Sequence, residues 1–304
     1  MAPSAAKVTL VVPCYNEEVR LPVADYIGYA KASGISNRAA TRLLFVDDGS
    51  RDRTVDVLQC IIDGSPAGCV NMLKLPSNQG KAEAVRQGLL QAVASSSDGD
   101  IVGFWDSDLA TPLAAVEQLA ELLRSRPQLQ MVFAARVALL GRKVKRSPIR
   151  HYIGRVFATL ASLALNLAIY DTQCGAKLFR VTPTLRAVLA APFMTRWVFD
   201  CEMIARFAAL SAASASQPPL EETIYEYPIE EWVDVAGSKV KPTDVVRMAI
   251  GLVRIHVVYF LHEWPGGAAR PALVRTVMAL AVGILVLGAL LLLIAYALLT
   301  LINH

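Results

Sequence analysis

The five cysteines, Cys14, Cys60, Cys69, Cys174 and Cys201, include no Cys-x-x-Cys pair. An odd, scattered set argues against a structural zinc site and against a disulfide framework. No apolar run stands ahead of Val8. Met1 to Lys7 is too short for a signal peptide, so no secretory leader is expected. No excess of one charge stands out either: 30 Lys and Arg face 26 Asp and Glu, a formal +4. No nucleic-acid partner is expected from so small a balance. No internal repeat is visible.

Hydrocarbon is what the chain has in plenty. At 54% hydrophobic it exceeds an ordinary soluble domain, and the excess sits at the C-terminal end. Thr276 to Ile302 carries no charged side chain. As helix this is roughly 40 Å long, enough to span a bilayer core with some tilt. Arg270 and Arg275 flank it on one side, as the positive-inside rule asks of a cytosolic flank. The expectation is a single-pass membrane protein with its bulk in the cytoplasm: an α/β domain over 1–240, an amphipathic juxtamembrane helix and linker over 241–269, and an anchor over 270–304. A homo-oligomer is an open possibility.

Upstream of the anchor, short apolar strands alternate with helices. Strands are expected at Val8–Val12, Arg42–Val46, Val70–Leu75, the run before Asp106, and Met131–Ala135. Helices are expected to about Ala32, after Asp52, over Lys81–Ala94, and from Pro112 to about Arg124. This alternation argues for a parallel, doubly wound sheet. A polar cluster follows nearly every strand, so the clusters crowd one sheet edge, where such sheets bind ligands. Ser50 or Asp52 is expected to cap the second helix. Ile149–Ile169 reads as a helix with Ile149, Ile153, Val156, Phe157, Leu160, Ala164 and Leu167 on one stripe, either a core helix or, slightly favoured, one lying on a membrane. Asp171–Val181 and Thr223–Ile229 return to strand, and Asp244–His262 to helix.

The sharpest local signal is Asp106-Ser107-Asp108, at the end of the apolar run Asp100–Trp105. Close unpaired carboxylates repel each other. A hard cation such as Mg2+ or Mn2+ relieves that repulsion and brings substrate phosphates with it. A second signal is basic: Arg136, Arg142, Lys143, Lys145, Arg146, Arg150 and Arg155 occur with no acid between them. Such a window is a solvated loop or a contact for anionic lipid or phosphate.

Pro13-Cys14-Tyr15-Asn16-Glu17-Glu18, Asp47-Asp48-Gly49-Ser50-x-Asp52-x-Thr54, Asn78-x-Gly80-Lys81 and Asp106-x-Asp108 together resemble the inverting family 2 glycosyltransferases of GT-A fold. Lys145-Arg146-Ser147, Asp171–Phe179, Arg196-Trp197-x-Phe199-Asp200-x-Glu202 and Gly237-Ser238-Lys239 resemble the branch that glucosylates polyprenyl phosphates. The likeness covers about residues 8–260. It implies transfer of glucose from UDP-glucose to dolichyl or undecaprenyl phosphate. It implies that Pro13, Tyr15, Glu17, Asp47, Asp48, Gly80, Lys81, Asp106 and Ser107 hold the nucleotide sugar. It implies that Asp108, with Asp106, holds the metal. Arg136, Arg146, Ser147, Arg150 and Lys239 would receive the lipid phosphate, with Arg146 favoured. Asp106, Asp108 and Arg146 are the expected catalytic set. The alternatives are another donor (GDP-mannose or UDP-N-acetylglucosamine), a saccharide acceptor, a non-catalytic nucleotide-sugar-binding scaffold, and a basic membrane adaptor.

Overall fold

The computed structural model describes residues 6–35, 41–145, 148–213, 218–233, 235 and 242–261, and the single positions 283 and 288. Seven strands make the main sheet: β1 (Val8–Cys14), β2 (Thr41–Asp47), β3 (Val70–Lys74), β4 (Ile101–Trp105), β5 (Met131–Ala135), β7 (Ala176–Arg180) and β8 (Ile224–Pro228). Their order is β3-β2-β1-β4-β7-β5-β8. Two short strands, β6 (Lys143–Lys145) and β9 (Glu231–Val233), pair in parallel as a separate ribbon. The helices are α1 (Val23–Ile35), α2 (Thr54–Asp63), α3 (Lys81–Ala94), α4 (Ala115–Ser125), α5 (Pro148–Leu165), α6 (Pro183–Leu189), α7 (Phe199–Ala212), α8 (Leu220–Thr223) and α9 (Pro242–His256), and α9 runs into a π-helical turn, Val257–Leu261.

The central strands are the most apolar because both faces of the sheet are covered there. β4 and β5 are buried at every residue. Alternation along each strand sorts the side chains into two layers. Val11, Val46, Phe104, Phe133 and Phe179 pack with α3, α6, α7 and α9. Leu10, Val12, Phe45, Trp105 and Leu178 pack with α1, α2 and α4.

The sheet is mostly parallel, with one exception. β7 runs antiparallel to both β4 and β5 and separates them. Gly103 permits the insertion: a Cβ there would come 2.2 Å from the Lys177 carbonyl oxygen. The insertion turns the start of β7 toward the carboxyl end of β4, since Ala176 pairs with Trp105.

Several element boundaries differ from the sequence reading. The first helix begins only at Val23, so Asn16–Arg20 is a loop over the sheet edge. Pro112 precedes α4 and its carbonyl accepts the Ala115 N–H at 3.1 Å. Of the two residues expected to cap α2, Asp52 takes the Thr54 N–H at 3.0 Å, while the Ser50 hydroxyl takes the Asn16 N–H at 3.0 Å. Only Ala176–Arg180 of the expected 171–181 strand is extended.

The helix expected over 149–169 ends at Leu165, where Asn166 takes φ +51°. Its inner side is core: Ala158, Ala161, Ala164 and Leu165 are buried. Tyr152, Val156 and Leu163 remain exposed along its outer side. The described part of the expected juxtamembrane unit is also core, with Leu252, Ile255 and Tyr259 buried in the layer that α7 fills. Glu202 and Arg206 of α7 cross-link it, Glu202 accepting the Tyr259 hydroxyl at 3.1 Å and the Arg206 guanidinium at 2.8 Å. Among the described residues no helix is long and apolar enough to cross a membrane. The expected span, Thr276–Ile302, lies outside the described residues apart from positions 283 and 288.

Candidate active site

Asp106 and Asp108 stand just past the carboxyl end of β4, and the turn carrying them is pinned from three directions. Tyr26 donates its hydroxyl to the Ser107 carbonyl at 3.1 Å. The Trp105 indole N–H reaches the Thr111 carbonyl at 2.7 Å. The Ala110 N–H reaches Asp108 Oδ1 at 3.1 Å. Ser107 itself is buried, so it serves the turn through its backbone.

Each of the two carboxylates has its own cation. Lys81 Nζ lies 2.5 Å from Asp106 Oδ1. Arg20 Nη2 lies 2.8 Å from Asp108 Oδ2, and its Nη1 lies 3.4 Å from Glu17 Oε2. Partial burial pulls the Lys81 ammonium down, but Asp106, Asp200 and Asp108 outweigh it and hold its pKa above the ordinary lysine value. Arg20 carried no sequence signal. Gly175 supports the pair from the start of β7: its carbonyl takes the Asp106 N–H at 2.8 Å. A Cβ on Gly175 would sit 1.9 Å from Asp106 Oδ2.

The β1 and β2 loops lock to one another beside this pair. Asn16 adopts φ +51° and accepts the Arg51 N–H at 2.9 Å. The Glu17 N–H goes to the Thr54 hydroxyl at 2.7 Å. Asp47 takes the Ser50 N–H at 3.3 Å. Asp48 turns the other way and clasps the loop after β3, accepting the Gln79 N–H at 2.7 Å and the Gly80 N–H at 2.8 Å. Burial pushes the Asp48 carboxyl above its usual range despite those two donors. Gly49 permits the clasp, because it has φ +68° and a Cβ on it would lie 2.7 Å from the Ser77 backbone. Neither Asp47 nor Asp48 caps α2. Pro13 is buried within β1, Tyr15 is half-buried just beyond it, and Glu17 is buried against Arg20.

On the far side of β4 the expected phosphate receivers are placed differently. Arg136 is engaged by Asp171, with Nε 2.6 Å from Oδ2 and Nη2 2.7 Å from Oδ1. Nη1 is the guanidinium nitrogen that this fork leaves over. Burial pushes the Asp171 carboxyl up, but Arg136 more than offsets it and holds the carboxyl below its usual value. Arg142 pairs with Glu230 at 3.3 Å, and the Arg155 guanidinium lies 3.7 Å from the centre of the Tyr170 ring. Part of the basic window is therefore structural. Arg150 falls in the first turn of α5, with its side chain outside the described residues; Arg146, Ser147 and Lys239 lie outside them altogether.

Beneath the pair is a fully buried lysine that sequence reading passed over. Lys177 Nζ reaches the Cys174 carbonyl at 2.5 Å and lies 2.7 Å from Asp200 Oδ1. Phe104 and Phe133 flank it. Burial raises the Cys174 thiol to about 11 and the Cys201 thiol to about 12, which suits packing and leaves no nucleophile at neutral pH.

A metal fits this edge. Asp106 and Asp108 both reach solvent, with side chains 37% and 20% exposed. The cations now on them supply the kind of neutralisation that a divalent ion would. Among the described residues no cluster of three or more His, Cys, Asp or Glu is poised to chelate. Asp106 and Asp108 are the carboxylates that would hold a hard ion here, with water and substrate phosphates as its other ligands.

The model of the family described as "Glycosyl transferase family 2" matches residues 9–185, which include the β1, β2, β3 and β4 loops of this edge. The chain belongs to that family. As a family 2 glycosyltransferase it is similar to a dolichyl-phosphate beta-glucosyltransferase of Trichomonas vaginalis, at 31% identity over 86% of this chain and 74% of the relative. It is similar to the Homo sapiens dolichyl-phosphate beta-glucosyltransferase at 30% identity over 85% and 77%. Among solved structures, a mannosyltransferase of Pyrobaculum calidifontis in complex with GDP-Man and Mn2+ matches with TM-score 0.58 at 18% identity, over 95% of this chain and 73% of that one. A glucosyl-3-phosphoglycerate synthase of Mycobacterium tuberculosis with Mn2+, UDP and glucosyl-3-phosphoglycerate matches with TM-score 0.55 at 17% identity, over 83% and 79%. These likenesses agree with the GT-A fold expected from the sequence.

Proposed function

We propose that this glycosyltransferase moves glucose from UDP-glucose to a polyprenyl phosphate, dolichyl or undecaprenyl, with inversion, at the cytosolic face of a membrane. The observation that carries the reading is the Asp106–Asp108 pair at the β4 edge, in a chain whose relatives across most of its length are named dolichyl-phosphate beta-glucosyltransferases.

The donor's nucleoside lies over the β1 and β2 loops, where Tyr15 offers a ring face and Asp47 and Glu17 offer carboxylates. Its diphosphate lies toward Asp106, Asp108 and Lys81. Asp108, with Asp106, would hold Mg2+ or Mn2+, which when bound supplies Lewis-acid stabilisation to the leaving diphosphate. The acceptor is a phosphate monoester whose second pKa is about 6. As a dianion it needs no general base; its oxygen attacks the anomeric carbon while the bond from that carbon to the UDP oxygen breaks. One displacement inverts the centre. The requirement left is to hold two anionic substrates together, which falls to Lys81 on the donor side and to Arg146, with Ser147, Arg150 and Lys239, on the acceptor side.

Support for the membrane reading is the exposed edge Tyr152, Val156 and Leu163 of α5, exposed Ile250 of α9, and the uncharged stretch Thr276–Ile302.

The test offers radiolabelled UDP-glucose, GDP-mannose and UDP-N-acetylglucosamine separately, each with polyprenyl phosphate and Mn2+, followed by lipid extraction. Label should enter the lipid from UDP-glucose. Label from another donor alone would overturn the donor assignment. Nucleotide binding with no transfer from any donor would favour the scaffold.

A further inference from the structure

Arg196 stands three residues ahead of α7, yet its side chain runs back across the start of α3. A Cβ placed on Gly80 would meet Arg196 Cδ at 3.5 Å, Cγ at 3.7 Å and Nε at 3.8 Å. The stem thus lies along the open face of a glycine with φ +96°, close enough that a Cβ there would touch it. Arg196 is exposed, and its charge favours the ionised form of Asp48. Three neighbouring cations at this edge are committed. Lys81 is held by Asp106, Arg20 by Asp108 and Glu17, and Lys177 by Asp200. The two Asp48 oxygens accept the Gln79 and Gly80 N–H groups, so Asp48 feels Arg196 as a nearby charge while its hydrogen bonds go elsewhere.

The position decides what Arg196 faces. Gly80 and Asp48 belong to the β3-β2-β1 half of the sheet, and Arg136 with Asp171 to the β7-β5 half. A guanidinium over Gly80 is therefore on the nucleotide side, between the base-side loops and Lys81. A diphosphate running toward Asp106 passes this exposed fork. A planar fork binds two phosphate oxygens in parallel.

We infer that Arg196 is a substrate-binding residue that grips the donor's diphosphate from above Gly80. This rests on the reading of the donor as a nucleoside-diphosphate sugar, and it adds a residue to which no role was given on sequence.

Full-length protein in detergent, with Mn2+, is titrated with UDP, UMP and uridine as parent, R196A and R196K. R196A should weaken UDP by at least about tenfold, the loss of charge-assisted hydrogen bonds to phosphate. UMP should weaken less and uridine should not change. R196K should recover part, because the charge survives and the fork does not. The KM for UDP-glucose should rise while that for polyprenyl phosphate holds. Equal weakening of UDP and uridine would mean that Arg196 only packs on Gly80 and would overturn the inference, as would unchanged UDP affinity. A KM change confined to polyprenyl phosphate would assign Arg196 to the acceptor phosphate instead and equally overturn it. A parent that binds no nucleoside diphosphate overturns the donor reading and this inference with it, whereas a parent that binds UDP no better than R196A overturns the inference alone.

Discussion

Arg20 and Asp108 meet at 2.8 Å across the mouth of the sheet edge, and Arg20 reaches Glu17 with its other terminal nitrogen. Arg20 thus occupies the carboxylate that the metal reading needs. Asp108→Ala should fold and lose nearly all transfer, and a chelator should do the same to the parent. Arg20→Gln removes a competing cation worth about 1 kcal/mol. The Mn2+ concentration for half-maximal binding, followed by electron paramagnetic resonance, should fall about fivefold. Full activity in excess chelator would sink the metal role.

Gly175→Ala tests the packing behind Asp106. The added methyl would fall 1.9 Å from Asp106 Oδ2, so the carboxylate must swing off Lys81. Misplacement of a reacting group on this scale costs about 100-fold in rate. Transfer should drop by that order, with thermal unfolding little changed. A fully active Gly175→Ala would mean that Asp106 works equally well from another position.

Asp171 gives the acid sensitivity a sign. Its carboxyl is held below the unfolded value, about 3.9, because Arg136 outweighs burial. Its stabilising contribution is therefore present above about pH 4 and is lost as pH falls through the folded value. Asp171→Asn leaves Arg136 buried without its partner and should cost about 3–5 kcal/mol at neutral pH. Urea unfolding of parent and variant should converge as pH drops below about 4. A constant gap down to pH 2 would contradict the assignment.

The acceptor chemistry predicts that Arg146 matters more than any candidate base. Arg146→Ala should lower transfer sharply with little change in UDP affinity, and Arg146→Lys should rescue it only in part. The parent's acceptor-dependent rate should climb through about pH 6 and then level, as the phosphate dianion forms. Polyprenol should not accept sugar. Equal rates with polyprenol and its phosphate would refute the mechanism.

Much of the fold was legible because it is written in short-range pattern. The apolar runs at Val8, Arg42, Ile101 and Met131 became strands, since burying both faces needs continuous hydrocarbon, and Val70 opened the edge strand. The polar clusters at Asn16, Asp48 and Asp106 gathered at one edge, since parallel strands end on the same side. Helix starts were less legible. Asn16–Arg20 and Pro112 satisfy helix-start chemistry equally well in a turn, and the helices themselves begin later, at Val23 and Ala115.

By itself the sequence determined the alternation of elements, the carboxylate pair at the end of β4 and the family motifs. These depend on residues a few positions apart. The tertiary structure decided the partners. β7 enters antiparallel between β4 and β5 because Gly103 leaves room for it, and this brings Gly175 under Asp106 and Asp171 onto Arg136. Arg20 on Asp108, Lys81 on Asp106 and Arg196 over Gly80 join segments far apart in the chain. No local periodicity records which cation faces which carboxylate, because that choice is made when the sheet closes and the loops at its edge compete for the same charges.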